Sequence, residues 1–498
     1  MTSSGNMKKP TTDSSTDSTA TTGTGSAETN RKLRRFNSTS STSSESTTSN
    51  TDSDSSIAEA SQNDTSMTND NDDFPLLPPR WYAFFVLGAL AYVMSPYAKF
   101  VTAFYIVTWT ASPVADWGII CQLAKRNFSG RHDGLPLRFN LIGIAVLAWM
   151  TFVRFPLECV LWYLDEILFS GYKATKVEEP LFILGQPRSG TTKFQDVLSA
   201  DQDSFCSMYL YEIRFPYLTV QYLVDFLNKM DQLCLGGQGY NLAVRMGVLN
   251  LLPESGQRKQ MRRLRYDLPD EDDNLLLFHG PYHLLLTAFF PSHAKMLYQF
   301  GDLPETSRVR MMKFHQRCVQ KMMYRRGRGK RYLCKWVACW NGLLEQSKRV
   351  YPDAKYAIIV RDPREQLPSW LKLQGAFSEQ MAGHNVMQIP QVRKDVIDVM
   401  ARWHQKQAEF CASSSAAKHI IQFEDFVQDI PREVTKLYDF LGLSIQPGSS
   451  FHKSLLEHRR NQSNHKKTVI RKQEAFISEQ EILSRFPPLL PTLKSPSQ

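Results

Sequence analysis

The distribution of apolar side chains divides the chain into three zones. Residues 1–73 are dominated by Ser, Thr, Asn and Asp, as in STSSTSSESTTSNTDSDSS, and hold almost nothing that could form a core. Burial there would not offset the conformational entropy lost on ordering, so a disordered Ser/Thr-rich tail is predicted over 1–75. No apolar segment lies close to Met1, and no cleavable signal peptide is expected.

The composition changes at PLLPPR, residues 75–80, and the next 90 or so residues are strongly apolar. Trp81 to Ala98 carries no charge, nor does Phe100 to Ala115, and Gly118 to Ala124 continues the pattern. A further apolar stretch, Leu141 to Val153, precedes FPLECVLWYLDEILF. A membrane-spanning helix needs about 20 mainly apolar residues. The first run approaches that length, and the later ones reach it only by including Asp116, Arg154 or Glu158. Trp81, Tyr82, Trp117, Trp162 and Tyr163, at the ends of these runs, suit a membrane–water interface. A membrane-anchor region of one to three helices is therefore predicted over 76–168; buried helices of a soluble domain are the alternative. The linker 125–138 carries Lys125, Arg126, Arg131 and Arg138 against Asp133, and should stay cytoplasmic together with the basic cluster Arg31 to Arg35. Residues 81–124 then form a hairpin. One more crossing at about 139–165 places the rest in the lumen of the Golgi or another endomembrane compartment.

From about residue 170 the pattern changes again. Short β-rich runs, LFILG (181–185), YAIIV (356–360) and HIIQF (419–423), alternate with stretches of helical periodicity. Such alternation predicts an α/β domain over 170–498, a P-loop-type parallel sheet flanked by helices. The first run leads into GQPRSGTT (185–192) and then a helix-like TKFQDVLSA. The spacing is that of GxxxxGK[ST], but Thr191 stands where an ATPase or GTPase keeps the lysine that clamps the β- and γ-phosphates. Gly185 and Gly190 allow tight turns, and a helix N-terminus with inward N–H groups attracts an anion. Arg188 and the hydroxyls of Ser189, Thr191 and Thr192 suit a 5′-phosphate better than a magnesium-bound triphosphate. In YPDAKYAIIVRDPREQLPSWLKL (351–373) a strand ends in Arg361, and a helix is expected to start near Ser369. That arginine and that serine can converge on a second phosphate.

These segments together resemble the sulfotransferases that use 3′-phosphoadenosine 5′-phosphosulfate (PAPS), from about Glu178 to Glu481, in the bacterial-type and tyrosylprotein-like branch. The resemblance implies that Gln186, Pro187, Arg188, Ser189, Gly190, Thr191 and Thr192 embrace the 5′-phosphosulfate while Arg361 and Ser369 hold the 3′-phosphate. LPDEDDNLLLF (268–278) is similar to that branch's acidic PEED-type segment, YLCKWVACWNGLLEQSKRVYPDA (332–354) to its LK-x-P…L…FPDA stretch, and IIQFEDFVQDIPREVTKLYDFLGL (420–443) to its YEDL…FLGL region. Val337 and Val360 depart from the family's usual Pro and frequent His. NHKKTVIRKQ (464–473) is only loosely similar to the basic loop that closes over the nucleotide. Lys466, Lys467, Arg471 and Lys472 there are either nucleotide contacts or a solvated basic tail.

Sulfuryl transfer needs a base for the acceptor hydroxyl, charge stabilisation on the moving SO₃ and a held leaving phosphate. Glu212, in YLYEIRFP, lies 24 residues after Arg188, where the branch places its acidic base, and a glutamate can take the hydroxyl proton. Pairing with Arg214 on a helix surface is the plain alternative. His279 and His283, in FHGPYH, are rival bases. Lys335, in LCKWV, matches the lysine that the branch aims at the bridging oxygen, a role Arg188 should share. No HExxH, paired CxxC or strand-end DxD occurs, and no metal is expected. The basic turn RRGRGKR (325–331) follows a helix-like VRMMKFHQRCVQKMM and is either a solvated helix end or an attractor for an acidic acceptor.

Charge adds little. Lys and Arg number 59 against 49 Asp and Glu, a formal +10 that suits acidic ligands or a membrane surface without choosing between them; no nucleic-acid partner is expected. The eight cysteines are scattered, Cys334 and Cys339 lack zinc-ligand spacing, and free buried thiols are expected, with a disulfide open if the domain is lumenal. The expected activity is sulfuryl transfer from PAPS to an acceptor hydroxyl, carbohydrate first, with tyrosine and lipid or sterol alcohols open. A degenerate P-loop nucleotide kinase and a catalytically inactive membrane-bound binding protein are the competing readings.

Overall fold

A computed structural model describes residues 79–113, 117–128, 137–246, 248, 265–279, 300–337, 340, 342–413, 416–462, 477–487 and 489. The predicted tail, the Arg31–Arg35 cluster, His283, Cys339 and the basic stretch 464–473 lie outside them. Residues 77–498 form one compact unit.

Among the described residues five strands make a parallel sheet: β1 (Leu181–Gly185), β2 (Phe205–Cys206), β3 (Arg331–Trp336), β4 (Lys355–Val360) and β5 (Lys418–Gln422), in the order β2-β3-β1-β4-β5. Every residue of β1 is buried because both faces of the sheet are covered, which is why LFILG reads as a continuous apolar run. The side chains divide with period two. Leu181, Ile183, Leu333, Ala357 and Ile359 pack with Phe194 and Val197 of the helix Thr191–Leu198 and Leu437 of the helix Ile430–Leu441. Phe182, Leu184, Tyr332, Trp336 and Ile358 pack on the other face with Met312 and Val319 of the helix Glu305–Arg326 and Trp403 of the helix Pro390–Ala412. Because β1 has β3 on one side and β4 on the other, the loop that leaves β1 opens at the topological switch point of the sheet. Crevices beyond the carboxyl ends of strands at such points are where open α/β sheets bind ligands.

The three strands expected from the sequence are present. The helix after β4 begins earlier than expected, at Pro363, and runs to Ala382. Asp362 caps it by accepting from Arg364 N–H at 2.8 Å, and Pro363 fits the first helical turn, where its missing N–H has no partner to lose. Ser369 therefore sits in the second turn.

Before the sheet come the helices Pro79–Met94, Pro96–Ala111, Trp117–Phe128 and Leu137–Trp149, the last passing through a π-helical turn (Met150–Arg154) into Phe155–Leu168. Leu141–Leu168 is long and apolar enough to cross a membrane; Phe85–Val93 and Ala98–Ala111 are so only as a pair bent by 86°. Trp109 ties the second helix to this long one by donating to Thr151 O at 2.9 Å. The latter half of the long helix is joined to the α/β core. Asp165 accepts from Leu218 N–H at 2.7 Å and Thr219 N–H at 2.8 Å and pairs with buried Lys321 at 3.0 Å. Glu158 pairs with Arg154 and with His279, each at 2.7 Å.

Candidate active site

The loop after β1 folds back on itself. The Ser189 N–H and hydroxyl both donate to Gln186 O, at 3.2 and 2.6 Å. Arg188 (φ +70°) and Gly190 (φ +92°) occupy the left-handed region. Gly190 is required twice over, since a Cβ there would also lie 2.8 Å from the Phe423 ring. Arg188, a non-glycine residue held at positive φ, is the kind of local strain that functional loops keep. Two side chains from outside brace the loop: Gln366 donates to Pro187 O at 2.5 Å and Trp340 to Gly185 O at 3.3 Å. The helix Thr191–Leu198 starts immediately after, so the loop wraps a helix N-terminus as its sequence implied.

The second predicted segment arrives at the same place. Arg361, at the end of β4, donates to Arg188 O at 2.8 Å, stacks over Phe423 at 4.2 Å and pairs with Glu365 at 2.8 Å. Arg188 Nε in turn donates to Ser369 Oγ at 3.1 Å. Arg188, Arg361 and Ser369 therefore form one cluster. The pKa of Arg188 is lowered, first by desolvation and then by the charge of Arg361. Among the described residues Arg188 pairs with no carboxylate. Two guanidinium groups held together with so little acid to balance them make a site suited to an anion.

Lys335 comes from β3, where it lies opposite Ile183 of β1. Its side chain is wholly buried, with Nζ donating to Thr192 Oγ1 at 2.7 Å and ion-paired to Glu271. Glu271 was seen in the sequence only as part of an acidic segment, and the structure shows what separates it from its neighbours. Asp270 is fixed through its backbone, its N–H donating to Met208 O at 3.1 Å and its carbonyl accepting from Gln195 at 2.9 Å. Asp273 accepts from Val337 N–H at 2.8 Å. Asp272 is buried, and desolvation raises its pKa well above the usual carboxylate range. Glu271 is the one whose carboxylate pairs with Lys335 Nζ, and its side chain is 30% exposed, whereas Asp272 faces the Lys335 backbone.

Of the residues expected to act as bases, Glu212 and His279 are described, and both are engaged by other groups of the protein. Glu212 is buried without solvent access, accepting from Tyr209 N–H at 2.7 Å and pairing with Arg325 at 2.5 Å and Arg326 at 2.6 Å. Both its oxygens are engaged by guanidinium groups, so it anchors the end of the helix Glu305–Arg326 and has no lone pair free for a hydroxyl. Arg214, its expected partner, lies over the Phe278 ring at 3.7 Å instead. His279 uses both ring nitrogens, at 2.7 Å from Glu158 and 2.8 Å from Ile213 O. The basic turn is similarly occupied: Arg325 also binds Asp225, and Arg331 pairs with Glu179. Cys121, Cys159, Cys206, Cys234, Cys318, Cys334 and Cys411 are free thiols.

Residues 282–447 match the Sulfotransferase family model. That stretch is similar to the sulfotransferase family. The matched stretch contains Lys335, Arg361 and Ser369. It begins after the 185–192 loop, which the fold joins to the matched stretch through the Arg188–Ser369 and Arg361–Arg188 contacts. Among solved structures, sulfotransferase STF1 from Mycobacterium tuberculosis H37Rv is similar with a TM-score of 0.53 and 16% identity, over 78% of this chain and 98% of that one. Sulfotransferase STF9 from Mycobacterium avium gives 0.54 and 14%, over 75% and 95%. At such identities these likenesses establish the fold. No curated protein matches the sequence.

Proposed function

We propose that this protein moves a sulfuryl group from PAPS to an acceptor hydroxyl. The observation that supports this reading best is the contact of Arg188, in a loop without the P-loop lysine, with Ser369 and Arg361. Such a cluster offers two anion sites that share one arginine. The 5′-phosphosulfate would lie in the 186–192 loop against the helix N-terminus, and the 3′-phosphate between Arg361 and Ser369. An ATP γ-phosphate would find no lysine in this loop.

In the reaction the acceptor oxygen bonds to sulfur as the bond from sulfur to the 5′-phosphate oxygen breaks. The electron pair stays on that oxygen, and 3′,5′-bisphosphoadenosine leaves. Lys335 would neutralise the oxygen that becomes anionic, helped by Arg188. Drawn toward the donor, Lys335 would release Glu271, whose part-exposed carboxylate would accept the acceptor's proton. Glu271 thus takes the role first expected of Glu212. These fixed cations supply what magnesium gives a phosphoryl group, so transfer should proceed in EDTA. Glycan hydroxyls are the favoured acceptors, for an enzyme held at a Golgi or other endomembrane with its domain in the lumen.

The test is incubation of the full chain with labelled PAPS and a panel of glycan, tyrosyl-peptide and lipid-alcohol acceptors, alongside competition between 3′,5′-bisphosphoadenosine and ATP. Label transfer with preference for the bisphosphate supports the reading. Preference for ATP would instead indicate a nucleotide kinase, and bisphosphate binding without turnover on any acceptor a binding protein.

A further inference from the structure

Exposed apolar side chains are concentrated in two places. Outside residues 85–168, twelve exposed large hydrophobics fall between Phe215 and Val248, and only five in all the other described residues. Single exposed hydrophobics are ordinary on a protein surface, but contiguous ones mark a contact. The stretch is a helical hairpin, Leu218–Leu235 and Gln238–Arg245, turned by Gly236 and Gly237 in the left-handed region. Phe226 is 57% exposed, Leu233 71% and Met246 69%.

The hairpin is continuous with the long apolar helix. Asp165 of that helix caps the hairpin's first N–H groups, and the Phe169 and Tyr222 rings lie 5.1 Å apart. The helix Phe155–Leu168 buries its polar side in the α/β core, through Asp165 on Lys321 and Glu158 on His279, and turns Leu157 and Ile167 outward. A single apolar surface therefore runs from the outer side of Leu141–Leu168 onto the hairpin. The hairpin's acids do not oppose its burial: Asp225 pairs with Arg325, and Asp231 accepts from Gly239 and Tyr240 N–H.

We propose that the hairpin 218–246 enters the same bilayer face as the helix Leu141–Leu168, seating the α/β domain on the membrane instead of suspending it from a span. The occupant is lipid because the adjoining helix has membrane-crossing length and apolarity but only one side free of protein. A second copy over the hairpin would exclude lipid from the surface beside it. Apolar helices of this kind lie about 5–10 Å into the boundary between headgroups and acyl chains.

Cys234, exposed near the hairpin's end, gives a local probe. Full-length protein carrying Cys121→Ser, Cys339→Ser and Cys411→Ser would be labelled there with an environment-sensitive fluorophore and reconstituted into phosphatidylcholine vesicles. Blue-shifted emission, quenched more by brominated acyl chains than by aqueous iodide, is expected. A further pair of substitutions, Phe226→Glu with Leu233→Glu, should abolish the lipid quenching while the far-UV circular dichroism is kept. Quenching by iodide alone overturns the proposal, as does label-to-label energy transfer that persists on dilution with lipid, or a protein that does not enter vesicles.

Discussion

A lysine with no solvent access is costly to keep charged unless partners surround it, and Lys335 has Thr192 and Glu271. If the 185–192 loop holds PAPS as proposed, the placement of Lys335 beside that loop predicts that Lys335→Ala lowers kcat far more than it changes the KM for PAPS, because its charge matters as the leaving oxygen becomes anionic. Arg361→Ala should do the reverse, raising that KM with a smaller effect on kcat. Losing one charge-assisted contact costs about 1.5–3 kcal/mol, on the order of ten- to a hundredfold in affinity. Steady-state kinetics with varied PAPS separates the two. The two glutamates part in the same way. Glu271→Gln should cut kcat and lower the urea midpoint somewhat, because wholly buried Lys335 keeps Thr192 but loses its counter-charge. Glu212→Gln leaves Arg325 and Arg326 without their shared buried counter-charge and should destabilise the fold by roughly 3–5 kcal/mol. If Glu212→Gln proves as stable as the natural chain yet inactive, the base is Glu212 and not Glu271.

Elements carry the next level of constraint, and the turn from β1 into its helix is the tightest. A Cβ at Gly185 would lie 2.6 Å from Ser189 Oγ, 2.7 Å from Thr191 Cγ2 and 3.1 Å from Ile359 O, a backbone atom of the neighbouring strand that cannot step aside. Gly185→Ala should therefore cost about 1–3 kcal/mol in stability and weaken binding of 3′,5′-bisphosphoadenosine, measured by calorimetry on one preparation. This turn was legible in the sequence because its signals are local: a continuous apolar strand, two glycines at fixed spacing, then helical periodicity. The convergence of Arg361 and Ser369 on it was legible as a pattern, from the strand end and the resemblance. The start of the following helix was misplaced, although Asp362-Pro363 carries a cap and a first-turn proline. What could not be read was partnership across distance. Nothing near Glu212 announces arginines more than a hundred residues later, and four successive acids at 270–273 do not say which one pairs with the lysine. The position of β3 beside β1 decides that, and Arg331 and Lys335 break the apolar run that would have marked it as a buried strand.

For the molecule as a whole, acid stability should be set in part by two buried groups that pull in opposite directions. His315, on the helix Glu305–Arg326, lies 3.6 Å from Asp272, and both are almost without solvent access. Burial pushes the His315 pKa down to about 3 and raises that of Asp272 well above its usual range, so at neutral pH the imidazole is uncharged and the contact is no simple ion pair. A histidine with a depressed folded pKa contributes stability that is complete above its unfolded pKa of about 6.5 and is lost as pH falls through that value toward 3. By pH 5 the loss from His315 alone is on the order of 2 kcal/mol. Asp272 has the opposite sign. Its raised pKa makes the fold more stable as pH falls toward the unfolded value of about 4, partly masking the histidine. Hence His315→Gln should reduce the drop in stability between pH 7 and pH 5, and Asp272→Asn should enlarge it. The other histidines with lowered pKa values, His404, His419 and His458, are common to all three proteins and cancel in the comparison. Urea melts of the full-length protein in one detergent, at pH 5, 6 and 7, measure the three slopes. Equal slopes for the natural chain and His315→Gln would mean that His315 takes up its proton without unfolding, and that the core between that helix and the sheet admits water.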